Sequence, residues 1–121
     1  MSRLNGFLVA GILMWIVFAG LQLNDPDPLL WITYYGLTAA YTLGALLRKL
    51  PARVAVVWGL LMWAVAAIML AGPGSPLTDA SPSLVGWLEN EVAREIGGLS
   101  MIGLWMLFLA IYVPPNVKRT E

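Results

Sequence analysis

Residues 4–24 read LNGFLVAGILMWIVFAGLQLN, a run without a single Asp, Glu, Lys or Arg. A helix rises about 1.5 Å per residue, so about 20 residues cross the roughly 30 Å hydrocarbon core of a bilayer. This run is long enough. It lacks the alternation of a barrel strand, and only helices and closed barrels satisfy their backbone groups in lipid. It is therefore read as a membrane helix. Arg3 raises the alternative of a signal peptide, but the apolar stretch outruns an h-region of about 7–15 residues, and no clear Ala-x-Ala site follows. The segment is expected to stay with the chain.

The same pattern recurs downstream. Residues 28–47, 54–78 and 96–117 are also uncharged. Of 121 residues, 60% are hydrophobic and 12% charged, where a soluble domain carries about a quarter charged. The expected fold is all-α and integral to the membrane: one domain over residues 1–121, a four-helix transmembrane bundle. Its helices are placed at about 4–23, 29–47, 54–72 and 92–113, with an outer interfacial segment at about 83–90 opened by Ser83. Trp15, Trp31, Trp58, Trp87 and Tyr112 lie toward segment ends, where an aromatic belt forms, while Trp63 and Trp105 lie deeper.

Basic residues set the orientation. Arg3, Arg48, Lys49, Arg53, Lys118 and Arg119 fall on one side of such a bundle. Asp25, Asp27, Asp79, Glu89, Glu91 and Glu95 fall on the other, with Arg94. The positive-inside rule gives an N-in/C-in topology with acidic loops outside, as a multi-pass protein of a bacterial inner (plasma) membrane. The expected partners are the lipid bilayer and other membrane-protein subunits; the zero net charge offers nothing to nucleic acid. With no cysteine and no histidine, disulfides, thiolate or imidazole metal sites and His-based triads are excluded within this chain.

The first connection is Asn24-Asp25-Pro26-Asp27-Pro28. Proline disfavours helical geometry in the residue before it, so Asp25 and Asp27 are both expected to be extended. Pro28 suits the first position of a helix, with Asp27 as its cap and the Asp25 carboxylate left over. Gly36, Ala40 and Gly44 recur at helical spacing and read as a packing seam; Gly97, Gly98 and Gly103 invite the same reading. Tyr34, Thr38, Tyr41 and Thr42 either line a solute path or bond to neighbouring helices and their own backbone.

Glu91, Arg94 and Glu95 are spaced to share one helical face at the edge of the membrane. If that helix packs beside the first connection, Asn24, Asp25 and Asp27 join them in an outward-facing motif cluster. Three readings stay open. Arg94 clamps the Asp-Pro turn through carboxylate pairs. Alternatively Asp25, Asp27, Glu91 and Glu95 hold Ca²⁺ or Mg²⁺, helped by Asn24, Gln22 or water; no other cofactor is expected. The third is paired-carboxylate catalysis.

The segment Leu21-Gln22-Leu23-Asn24-Asp25-Pro26-Asp27-Pro28, with Trp31 and Tyr34-Tyr35-Gly36 after it, resembles the signature of the transmembrane protein 220 family. Residues 91–99, EVAREIGGL, resemble that family's second motif. The resemblance implies a small multi-spanning fold and no particular chemistry. The functions weighed are a non-catalytic accessory or binding protein, a divalent-cation-binding membrane protein and a small solute transporter. Proton-coupled transport is disfavoured because no charge lies inside the uncharged runs, and no nucleophile–base pair points to an enzyme.

Overall fold

Helix formation starts at Ser2, whose Oγ accepts the Asn5 N–H at 3.0 Å and so caps the first turn. The structure, a computed structural model, describes residues 2–79, 83, 85–86 and 90–115. Its long helices are α1 (Arg3–Leu21), α2 (Pro28–Leu46), α3 (Ala52–Ala71) and α4 (Glu91–Tyr112). A 3-10 turn, Gln22–Asn24, follows α1, and a single helical turn, Pro76–Asp79, follows α3. Among the described residues there is no strand.

Among the described residues, three helices are long and apolar enough to cross a membrane: α1 continued through its 3-10 turn, α3 and α4. The sequence led us to expect four. α2 has the length, but Thr33, Tyr34, Tyr35, Thr38, Tyr41 and Thr42 lower its apolar character, and it is not one of the three. Each helix buries a narrow stripe and turns large apolar side chains outward; Ile68 is 71% exposed and Ile111 68%. Apolar surface in that quantity is a liability in water and suits lipid.

Contacts group the chain into two units. The first holds Met1–Ala55 and Phe108–Glu121. Here α1 and α2 form an antiparallel hairpin. Trp31, Tyr35, Thr38, Thr42 and Ala45 recur every three or four residues along α2, and all are buried. Trp15 stacks on Tyr35 with ring centroids 5.9 Å apart, and Phe18 meets both edge-on at 5.7 Å. An aromatic belt is therefore the wrong description of Trp15 and Trp31. Both are buried, because their rings fill the gap between α1 and α2. Tyr112 is exposed, and Trp87 lies outside the described residues.

The hydroxyls of α2 turn inward on the helix itself. Thr33, Thr38 and Thr42 donate to the carbonyls of Leu29, Tyr34 and Thr38 at 2.6, 2.8 and 2.7 Å. The helix ends in a Schellman motif. Arg48 and Lys49 N–H groups donate to the Ala45 and Gly44 carbonyls, both at 2.9 Å. Arg48 itself adopts the left-handed conformation, with φ 57°, that such a motif usually assigns to glycine. Its guanidinium recovers part of that cost, donating to Ala45 O at 2.9 Å and to Asn5 Oδ1 on α1 at 3.0 Å.

The second unit comprises Val56–Leu107. Here α3 and α4 run antiparallel and touch backbone to backbone. A Cβ added to Gly59 would sit 3.2 Å from the Gly103 carbonyl, and one on Gly103 would collide with the Trp63 indole. Trp63 Nε1 donates to Ser100 O at 3.1 Å. The close glycine contact is thus Gly59 with Gly103. Of the seam expected of Gly36, Ala40 and Gly44, a Cβ on Gly36 meets nothing within 4 Å, and one on Gly44 would lie in ordinary contact, 3.7 Å from the Leu50 Cβ. Of the interfacial segment, Ser83 Oγ accepts the Gly86 N–H at 3.1 Å, a capping contact, and Leu84 and residues 87–89 lie outside the described residues.

Candidate functional site

The motif residues begin where α1 stops. Gln22 turns its side-chain amide back onto Phe18 O at 3.1 Å, and the chain tightens into the 3-10 turn that ends at Asn24. Asp25 follows in extended geometry, φ −80° and ψ 148°, as a residue before proline should. Its Oδ1 accepts the Asp27 N–H at 2.9 Å, closing an Asx turn across Pro26. Asp27 occupies the N-cap position of α2 at φ −119° and ψ 60°, with Pro28 in the first turn, yet its side chain makes no capping hydrogen bond.

The expected roles are therefore exchanged. Asp25 shapes the turn, and Asp27, exposed, is the carboxylate left over. The cause is local: the Asx turn ties the Asp27 N–H to Asp25, and Asp27 at ψ 60° is not in the extended geometry that aims an N-cap side chain at the helix N–H groups.

In the second unit, α4 opens at Asn90. Its Oδ1 accepts the Ala93 N–H at 2.8 Å, a good N-cap. Glu91 then places a negative charge in the first turn, where the helix dipole favours it. Asn90 was not singled out from sequence as a cap. The signal was present, since an asparagine directly before an acidic first turn is a helix-start signature. Glu91 and Arg94 are exposed and Glu95 half-buried, all within the first turns of α4.

Asn24, Asp25 and Asp27 belong to the first unit, and Glu91, Arg94 and Glu95 to the second. Each trio is built by its own segment: a turn in one case, a helix start in the other. Either trio supplies two carboxylates, whereas calcium takes about six to eight oxygens. Among the described residues no group of three or more acidic side chains is placed to hold a metal ion.

The second unit also carries an open groove of about 370 Å³ between α3 and α4, lined by Trp63, Ala66, Leu70, Ile96, Ser100 and Leu104. It is apolar and offers no acid–base pair.

Both motifs fall inside the stretch, residues 14–111, that matches the family model described as "Transmembrane family 220, helix". The chain belongs to transmembrane family 220. The match spans α1 from its middle through α4 but for its last residue, so the all-helical architecture and the family assignment agree. For this family 220 chain, no curated protein and no solved structure gives a match. The family description specifies transmembrane helix and nothing of an activity.

Proposed function

We propose that this chain is a four-span membrane protein, N-in and C-in, that works as a non-catalytic accessory subunit and docks on a larger membrane protein through the outer face of α2. The observation that carries this is the uncovered small-residue face of that helix. Ala40 is exposed, and a Cβ on Gly36 would meet nothing within 4 Å. Leu37, Leu43 and Leu47 are exposed around them. In lipid, small residues let a second helix approach closely, which is how membrane helices gain packing energy.

The threonines of α2 favour packing over a solute path, since their hydroxyls are bound to the helix's own carbonyls. For the orientation, the starts of α1 and α3 and the ends of α2 and α4 all belong to the first unit. The start of α1 and the end of α4 then share the side of Arg3, Arg48, Lys49 and Arg53. On this reading the acidic motifs face outward as turn-forming and helix-starting residues of a bacterial inner-membrane protein.

Extraction from native membranes in mild detergent, followed by native mass spectrometry, tests the docking. A defined heteromeric complex that survives Gly20→Leu on α1 and is lost with Gly36→Leu on α2 is expected. A Cβ at either glycine meets nothing within 4 Å, and near-ultraviolet circular dichroism of each variant checks that the chain itself is undisturbed. A strictly monomeric protein, or a complex indifferent to Gly36→Leu, overturns the proposal.

A further inference from the structure

Four basic residues collect at one end of the first unit: Arg3 opens α1, Arg48 and Lys49 follow α2, and Arg53 lies in the first turn of α3. The Arg48 guanidinium, 3.0 Å from Asn5 Oδ1, draws the end of α2 to the start of α1. Arg48 is thus used internally. Arg3, Lys49 and Arg53 are exposed.

These charges are placed against the usual preference. A helix N-terminus carries about half a positive charge and favours acidic neighbours. α1 and α3 both begin at this end, neither has an acidic residue in its first turn, and both have an arginine there. The acidic residues within positions 1–55 are Asp25 and Asp27, in the connection beyond the far end of α1. α1 has 19 residues and so is about 28 Å long, which sets the two aspartates at the far end of the helix. Among the described residues of the first unit, no acidic side chain lies at this end.

We infer that Arg3, Lys49 and Arg53 form a binding rim for the phosphate of anionic phospholipids, with Arg48 as the residue that holds the rim in position. Because α1 and α3 are long and apolar enough to cross a membrane, their starts emerge at headgroup level. Negative headgroups supply there the charge that the helix starts lack, and a polybasic edge beside a membrane helix attracts such lipids. The inference rests on the membrane-spanning character of α1 and α3; it is independent of the accessory role and of which membrane face the rim occupies.

The test uses the full chain in nanodiscs of phosphatidylcholine with a minority of phosphatidylglycerol, reading by native mass spectrometry which lipid stays bound. Phosphatidylglycerol should be enriched on the wild type, with the enrichment falling as sodium chloride is raised. Arg3→Gln, Lys49→Gln and Arg53→Gln should each lower it by about fivefold. The near-ultraviolet circular dichroism of the aromatic side chains reports whether each variant is folded, and the single variants carry the test if the triple variant is not. Equal retention of the two lipids, or variants that match the wild type, overturns the inference. Displacement by inorganic phosphate in the millimolar range assigns the rim to free phosphate instead and overturns the lipid assignment.

Discussion

Asp25 and Asp27 both precede a proline, so the same steric bias acts on both, and sequence offers no way to tell them apart. Their difference arises two residues further on: the Asp25 carboxylate reaches the Asp27 N–H, and Asp27 then stands at a cap position without capping. Replacing Asp25 by alanine should cost about 1 kcal/mol in unfolding assays in detergent, the worth of one such hydrogen bond. Replacing Asp27 should cost less than about 0.5 kcal/mol, as for an exposed residue with no special role. Equal losses would restore Asp27 as the cap. Arg48 offers a sharper case. Arg48→Ala and Arg48→Gly both remove the guanidinium contacts, but glycine accepts φ 57° without strain. The glycine variant should be more stable than the alanine variant by about 1 kcal/mol. No charge count could have revealed this, because a loop arginine reads first as a topology signal.

At the scale of helices, the uncharged runs made the elements legible: each of the four contains most of one long helix. Their ends follow from chemistry visible in the sequence, such as Ser2 before α1 and Pro28 within the first turn of α2. Which small residues meet a neighbour was not legible. Gly36 and Gly103 look alike in a sequence, and only the position of the Trp63 indole separates them. Gly103→Ala should destabilise the detergent-solubilised chain by about 1–3 kcal/mol through overpacking. Gly36→Ala should hold or slightly raise its melting temperature, since the methyl has room and alanine favours a helix. A tolerated Gly103→Ala would mean that Trp63 yields, and that the α3–α4 contact is looser than the Trp63–Ser100 bond implies. The aromatic residues teach the same lesson, since tryptophans near segment ends can fill a helix–helix gap as readily as they can sit among headgroups.

For the whole molecule, composition announced a membrane protein because charge is driven out of long apolar runs, and the family match and the apolar helices agree with it. Activity was not legible. Carboxylates near helix ends serve turns and starts in many proteins, and here Asp25 and Asp27 belong to one unit and Glu91 and Glu95 to another. The proposed orientation is open to direct measurement because the chain has no cysteine of its own. In intact cells, a membrane-impermeant maleimide should label Asn24→Cys and spare Lys49→Cys until the membrane is opened; the reverse pattern would invert the topology. The run of hydroxyl-bearing residues along α2 also bears on biosynthesis. A helix with so many hydroxyls partitions weakly from the translocon on its own, and only residues 22–27 separate it from α1. It should therefore leave the translocon together with α1, as a preformed pair, and on the proposed N-in topology a long hydrophilic spacer between the two would let α2 slip through to the outer face.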